Sequence, residues 1–246
     1  MDLRVLSSAA GFTPPHCFEL CGRHFDISLT GDNEQHDDVA LEFMSFPSRE
    51  VTVTGKGTAS GTFAYDCSKV MDGLYQVAYR CGGNTCDVLT IDVNEGNACL
   101  MIVTAVGNLE CRLFTGKIGG ESTSFQRRSS DELAGNTVDW TFGVEESSAV
   151  RIRYGNRRKN ATRDEYVATV ECGSQQIRDA VYGTYRLRDD AFYQYMFMET
   201  DSRKRLTVGI ADFTNMLGVG VVLEMEGGEM RYQKTGCYAR IISYEA

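Results

Sequence analysis

The chain has 246 residues and a formal net charge of −9, with 42% hydrophobic and 24% charged residues. This length allows one large domain or two small ones, and the composition is typical of a globular protein. Only 3 prolines, with 25 glycines, 12 tyrosines and 12 phenylalanines, favour strands joined by glycine turns over a helical bundle. The negative charge would repel a phosphate backbone, so we expect no nucleic-acid partner.

The N-terminal segment, residues 1–21, has no apolar stretch long enough for a signal peptide. No part of the chain approaches the roughly 18 consecutive apolar residues that indicate a membrane helix. We therefore expect a cytoplasmic protein without a membrane partner. His16, Cys17, Cys21 and His24 are possible zinc ligands, but zinc sites usually add a second, distant pair of ligands. We expect a packed segment here, with no metal and no cofactor.

Residues 22–119 form the first predicted half, which consists of short strands separated by Gly, Asn and Asp turns. Apolar and polar residues alternate in these runs, as is typical of strands with one buried face. The predicted strands, in chain order, are RHFDISLT, DDVALEFMSF, EVTVTG, GTFAYDCSKV, LYQVAYR, CDVLTIDV and ACLMIVTAVG.

Residues 120–134 are rich in Gly, Ser and charge and are predicted to form a linker. Residues 135–246 form the second half, which again consists of short strands. These predicted strands are NTVDWTF, AVRIRY, DEYVATVEC, YGTYRLR, AFYQYMFME, RLTVGIADF, GVGVVLEMEG and YARIISY.

The two halves share an order of motifs, which indicates an internal duplication. VMDGLYQVAYR, LTIDV and ACLMIVTAVG in the first half correspond to LRDDAFYQYMF, VGIADF and GVGVVLEMEGG in the second. Asp92 lies fifteen residues before Gly107, and Asp212 lies fifteen residues before Gly227. We therefore predict that the halves superpose strand for strand, with Asp92 over Asp212.

These motifs resemble the MoaF family, named for molybdenum cofactor biosynthesis protein F, which belongs to the calycin superfamily. The resemblance rests on DGLYQVAY and IDV in the first half, and on DDAFYQYMF and VGIADFTNMLGVG in the second. It implies an all-β, calycin or lipocalin-like architecture of antiparallel β-barrels with an internal duplication. The family's second half typically carries a Tyr-x-His-x-Tyr element where this sequence reads AVRIRY. Only Tyr154 matches there, so a role in cofactor synthesis is not implied.

The candidate catalytic residues come from two strands of the second half. A barrel of about eight strands can hold one small ligand, so polar residues that share a face with aromatics are candidates. Tyr193, Tyr195, Phe197 and Glu199 share one face of FYQYMFME. We predict Glu199, Tyr193, Tyr195 and Arg151 as catalytic, with Arg151 holding an anion while the others move a proton. In the alternative, the tyrosines pack while Glu199 and the arginine are solvated.

Five further residues are predicted to contact the ligand. Trp140 is the only tryptophan and is expected in the core or in a pocket wall. Arg153 and Tyr154 belong to AVRIRY, and Tyr166 lies beside a carboxylate in DEYVAT. Phe197 shares the predicted catalytic face, which completes the ligand-binding set.

These residues predict a cofactor-free enzyme of the lyase, isomerase or cyclase type, acting on a small, largely apolar or aromatic metabolite. The alternative is a non-catalytic binding or carrier protein, and a third possibility is a scaffold that binds a protein. An enzyme needs an ionisable group with a shifted pKa in the pocket, whereas a carrier needs an apolar wall with a few polar anchors. A homo-oligomer is compatible with the sequence. The nine cysteines are expected to be reduced and buried.

Overall fold

A computed structural model describes residues 14–31, 36–55, 59–119, 128–142, 149–158, 165–172, 176–189, 191–198 and 202–244. The regular structure in these ranges consists of β-strands. No helix in them is long and apolar enough to cross a membrane.

Eight strands form the first barrel: β1 (His24–Gly31), β2 (His36–Phe43), β3 (Glu50–Gly55), β4 (Gly61–Met71), β5 (Leu74–Arg80), β6 (Thr85–Asp92), β7 (Asn97–Val106) and β8 (Asn108–Ile118). Each strand runs antiparallel to the next, and β1 pairs with β8, so the barrel is closed. A Cβ on Gly116 would collide with the backbone oxygen of Ser28 on β1. Glycine therefore permits the close approach of β8 to β1 that closes the barrel.

The interior of the first barrel is filled by side chains. Alternate residues of each strand point inward, and large ones such as Phe43, Tyr79, Leu89 and Leu100 belong to one buried cluster. Residues before β1 belong to the same unit, because the backbone N–H of Cys17 donates to the carbonyl of Cys67 on β4 at 2.9 Å. Leu20 is completely buried in that cluster.

The second barrel contains β10 (Asn136–Thr141), β11 (Ala149–Arg157), β12 (Tyr166–Cys172), β13 (Gln176–Arg186), β14 (Ala191–Met198), β15 (Arg205–Asp212), β16 (Leu217–Glu226) and β17 (Glu229–Tyr244). Consecutive strands are neighbours, and β17 pairs with β10, so these eight strands also close into a barrel. The two closed antiparallel barrels confirm the predicted all-β fold class and are consistent with a calycin-like double barrel.

A ninth strand of the second unit, β9 (Arg128–Ser129), pairs with the end of β13. It lies within residues 120–134, which the sequence predicts to be a linker. A strand of two residues is too short to show the alternation of apolar and polar side chains that identifies a strand in a sequence. Pairing with Tyr185 and Arg186 holds β9 in place.

The barrels repeat each other in register around their sixth and seventh strands. Asp92 ends β6 and Asp212 ends β15. Each of these strands is the sixth of the eight in its barrel. Gly107 follows β7 as Gly227 follows β16. The turns also correspond, because the fourth residue after each aspartate has a left-handed backbone: Gly96 at φ 67° and Met216 at φ 57°.

Eight cysteines are reduced thiols: Cys17, Cys21, Cys67, Cys81, Cys86, Cys99, Cys111 and Cys237. Five of these eight are buried, and the side chain of Cys172 lies outside the described part of the chain. The strands therefore place most of these thiols among apolar neighbours, where a thiol behaves as a small hydrophobic group.

Candidate ligand-binding cavity

A cavity of about 90 Å³ lies inside the second barrel and is partly open to solvent. Its wall is mostly apolar. An engineered apolar cavity of about 150 Å³ can hold benzene, so this cavity has room for a few heavy atoms or for one end of a larger ligand. The lining residues are Trp140, Phe142, Val150, Ile152, Tyr154, Gln194, Met196, Met198, Thr207, Gly209, Ile210, Ala211, Gly218, Val219, Gly220, Thr235 and Cys237.

The cavity lies where the second barrel has smaller interior residues than the first. Counting from the matched aspartates, Leu89 and Leu100 correspond to Gly209 and Gly220. In each barrel these two residues are direct cross-strand partners. Both leucines are 1% exposed, and replacing buried side chains by glycine leaves space that the surroundings fill only in part. Neighbouring interior positions change in the same direction, from Ile91 to Ala211, Ala98 to Gly218 and Ile102 to Val222.

The glycines of the cavity wall have little room for a side chain. A Cβ on Gly218 would lie 2.7 Å from the sulfur of Cys237 and 3.2 Å from Cζ3 of Trp140, so a methyl group there would enter the cavity. A Cβ on Gly209 or Gly220 would lie 2.7 Å from a backbone carbonyl oxygen of the neighbouring strand. These two positions therefore require glycine for strand pairing as well as for space.

One hydrogen-bonded group crosses the interior of the barrel. The indole N–H of Trp140 on β10 donates to the hydroxyl oxygen of Tyr154 on β11 at 3.0 Å. The amide N–H of Gln194, on the opposite side of the barrel in β14, donates to the same oxygen at 3.0 Å. All three residues line the cavity, so its apolar wall contains one fixed polar group.

Tyr154 is held as a neutral phenol. Burial raises its pKa well above the usual range, and the bonds from Gln194 and Trp140 offset this only in part. The ring of Tyr182 meets the Tyr154 ring edge-on at 4.9 Å and donates its hydroxyl proton to the carbonyl of Gly155 at 3.1 Å. Tyr166 stacks on Tyr182 at 5.3 Å. The predicted ligand contact Tyr166 thus belongs to the aromatic layer beside the cavity, rather than to its wall.

The two predicted arginines lie on the outer face of β11, because they alternate with the cavity-lining Val150, Ile152 and Tyr154. Arg151 makes a two-pronged ion pair with Asp139 at 2.8 and 3.0 Å, and this arginine holds the pKa of Asp139 below its usual range. Arg153 is 61% exposed and pairs with Glu171 at 2.8 Å. The prediction that Arg151 holds an anion inside the barrel is therefore wrong, because both arginines lie on the outer face and pair with carboxylates there.

Three other predicted residues lie on the outer face of β14. Tyr193, Tyr195 and Phe197 alternate with Gln194, Met196 and Met198, which line the cavity. The ring of Tyr195 lies 6.3 Å from those of Tyr185 and Phe197, and all three predicted residues are buried. The structure therefore does not bring Tyr193 and Tyr195 to the cavity or to Arg151. Glu199 lies outside the described residues.

Trp140 and Tyr154 are the two predicted ligand contacts that line the cavity. Sequence reasoning missed Gln194, Met196 and Met198, because both faces of β14 are apolar and alternation alone does not show which face points inward. The internal repeat contains a usable signal, since aligning the matched aspartates sets Gly209 and Gly220 against leucines of a filled barrel.

No cluster of three or more His, Cys, Asp or Glu side chains in the described ranges is arranged to bind a metal ion. In the N-terminal segment, Nδ1 of His16 accepts a hydrogen bond from the backbone N–H of Cys67 at 3.4 Å. His24 contacts Asp26 at 3.0 Å and is exposed. The four possible zinc ligands of this segment are thus not gathered around one point.

Asp87 is one of three buried aspartates in the first barrel, with Asp37 and Asp92. Asp87 on β6 is 1% exposed, and neither carboxylate oxygen has hydrogen-bonding geometry with a described residue. Burial raises the pKa of Asp87 to about 6, although the nearby Cys81 and Tyr79 lower it in part. Because Asp87 lies among filled core positions, its ionisation affects the stability of the fold.

Comparison with protein-family models and with curated protein sequences found no match to this chain. The chain is similar to a solved structure from Nostoc punctiforme, a protein of unknown function from the DUF3598 family. The TM-score is 0.43 and the sequence identity is 10%, over 92% of this chain and 97% of that one.

Proposed function

We propose that the second barrel binds a small, largely apolar ligand and that the protein is a binding or carrier protein. The observation that supports this proposal is the cavity itself, where glycines replace the leucines of the matched barrel. An apolar wall with a few placed polar groups is typical of small-molecule sites. A barrel of about eight strands has an interior of suitable width.

The residues of the cavity favour binding over acid–base chemistry. Among the described lining residues there is no carboxylate, imidazole or amine. Tyr154 is the lining residue that could best act as a general acid or base, but its raised pKa keeps the proton on the phenol at neutral pH. An efficient proton-transfer group needs a pKa near the working pH. The lyase, isomerase or cyclase activity therefore stays a prediction from sequence.

The specific resemblance to the MoaF family also stays a prediction. A cytoplasmic location and the lack of nucleic-acid or membrane partners likewise stay predictions from the sequence. The proposed partner is a small molecule, and mass spectrometry of compounds that co-purify with the protein would identify it.

Methionine methyl groups provide a direct test of binding. Met196 and Met198 line the cavity, whereas Met101 is buried in the first barrel. We propose to label the methionines with ¹³C at the methyl group and to titrate with methylenecyclopentane, a small neutral hydrocarbon. Saturable shifts at Met196 and Met198, assigned by single Leu substitutions, with no shift at Met101, are the expected result.

A pair of glycine variants controls for non-specific effects. Gly218→Ala places a methyl group in the cavity, whereas the Cβ of Gly155→Ala would contact Val167 at 2.9 Å, and Val167 does not line the cavity. We expect Gly218→Ala to weaken binding at least about fivefold and Gly155→Ala to leave it unchanged. Equal binding by both variants, or no saturable shift in the wild type, would contradict the proposed function.

A further inference from the structure

The hydrogen bonds of Tyr154 can be counted. A tyrosine hydroxyl has two acceptor lone pairs and one donor proton, while an indole N–H can only donate. Trp140 and Gln194 both donate to the Tyr154 oxygen at 3.0 Å. Both lone pairs are therefore used by fixed protein donors, and the proton is left for another acceptor.

No described residue accepts that proton. Tyr154 is 2% exposed, so its hydroxyl has little contact with bulk solvent. The neighbouring phenol of Tyr182 is directed to the carbonyl of Gly155 instead. Because a buried donor without an acceptor costs free energy, a group within the cavity that Tyr154 lines can gain by accepting this proton.

The acceptor is a neutral one. The described lining residues include no positive charge to balance a buried anion, and a buried unpaired charge is very costly. Arg151 and Arg153, which could have balanced an acid, lie on the outer face with carboxylate partners of their own. A charged ligand group in this cavity would therefore remain without a counter-charge among these residues.

We infer that Tyr154 is a specificity-determining residue that donates a hydrogen bond to a neutral oxygen of the ligand, such as a ketone, aldehyde, ester or ether oxygen. This inference rests on the proposed binding function and names the chemical class of the ligand. Trp140 and Gln194 act as positioning residues, because their N–H groups fix the oxygen of Tyr154 and leave its proton free to donate to the ligand.

The test compares two probes of the same shape, cyclopentanone and methylenecyclopentane, which differ by an oxygen in place of a methylene group. Their dissociation constants are measured from the Met196 and Met198 methyl shifts in the wild type, in Tyr154→Phe and in Gln194→Leu. We expect Tyr154→Phe to lower the affinity for the ketone relative to the hydrocarbon about tenfold, because the carbonyl loses its donor. Gln194→Leu should lower the ketone preference by less, because Tyr154 keeps its donor proton but loses one of the two groups that position its oxygen.

The outcomes separate this inference from the proposed function. If the hydrocarbon binds but Tyr154→Phe leaves the ratio of the two constants unchanged, the donor role is wrong and the binding function stands. If the preference for the ketone is lost in Gln194→Leu but kept in Tyr154→Phe, the donor is the amide of Gln194 and the role of Tyr154 is overturned. If neither probe binds to the wild type, the inference fails together with the proposed function.

An infrared measurement on the wild type does not depend on the folding of any variant. The carbonyl stretch of bound, ¹³C-labelled cyclopentanone should shift to lower frequency than that of the ketone in a hydrocarbon solvent. A bound ketone at the hydrocarbon frequency would overturn the inference. Tyr182→Phe serves as a matched control, since it removes a buried hydroxyl from the same aromatic layer and should leave this band unchanged.

Discussion

Asp92 and Asp212 have the same role in the two barrels: the Oδ1 atom of each accepts hydrogen bonds from the backbone N–H groups two and three residues later. The distances are 3.1 and 3.0 Å for Asp92, and both are 2.9 Å for Asp212. Each aspartate is 1% exposed. Such side-chain bonds to the following backbone are typical of aspartate in turns.

The first prediction concerns this turn in the second barrel. Asp212→Ala removes the acceptor for two backbone N–H groups and should lower the free energy of unfolding by about 1–3 kcal/mol. Trp140 is the single tryptophan and lies in the second barrel, so urea unfolding followed by its fluorescence reports on that barrel. Asp212→Asn keeps one acceptor oxygen and should cost less. An alanine variant as stable as the wild type would contradict the capping role.

The second prediction concerns the paired glycines. In Gly209→Ala and in Gly220→Ala, the new Cβ would lie 2.7 Å from a backbone oxygen of the neighbouring strand. The strands must move apart to relieve the contact, so each variant should be destabilised by about 1–3 kcal/mol. Urea unfolding midpoints measure the effect. Gly227→Ala, at a turn with open space around its Cβ but with φ 62°, separates backbone strain from crowding.

The third prediction concerns pH. The pKa of Asp87 is raised from 3.8 to about 6 in the folded protein, so the fold favours the protonated carboxyl. This group therefore causes no loss of stability below about pH 4. The loss of folding free energy from ionising the buried carboxyl grows as the pH rises from about 4 to about 6. Above about pH 6 this loss reaches about 2–3 kcal/mol.

Asp87→Asn removes this cost while keeping the shape of the side chain. Its free energy of unfolding should exceed that of the wild type by up to about 2–3 kcal/mol at pH 7.5, and the difference should vanish near pH 4. Chemical unfolding at several pH values, followed by circular dichroism, measures both. Asp38→Asn on the exposed face of β2 is the control and should show no such pH-dependent gain. A constant difference across this range would show that Asp87 does not titrate as described.

The fourth prediction uses two thiols of similar character. Burial raises the pKa of Cys237 in the second barrel and of Cys86 in the first to about 12. Because the thiolate is the reactive form, both should react slowly with iodoacetamide at pH 8 in the native protein. Cys237 lines the cavity, so a bound ligand should slow its alkylation further and leave Cys86 unaffected. Peptide mapping by mass spectrometry measures both rates, and equal protection of the two would indicate global stabilisation instead.

The sequence predicts the barrel class, the duplication and every strand except β8 and β9, because turn residues and the Asp–Gly spacing are local features. It did not reveal the inward face of β14, whose burial covers nearly every residue on both faces. Alternation identifies the inside of a strand only when its other face is polar. For that reason the sequence pattern selects Tyr193, Tyr195 and Phe197, which lie on the outer face.

The hydrogen bond from Gln194 to Tyr154 could not be predicted from sequence either. The two residues are forty positions apart and lie on strands that are not neighbours in the barrel. Only closure of the barrel brings them together across its interior. By contrast, Trp140 and Tyr154 lie on adjacent strands, and both were predicted to contact a ligand.

The exchange of leucines for glycines suggests a history for the two barrels. A duplicated gene supplies a spare copy, and mutations that would ruin a single domain become tolerable when another copy keeps its original packing. Under the proposed binding function, the barrel with Leu89 and Leu100 supplies packing, while the interior around Gly209 and Gly220 can change with the ligand. Homologues should accordingly vary more at the interior of the second barrel than at the matched positions of the first.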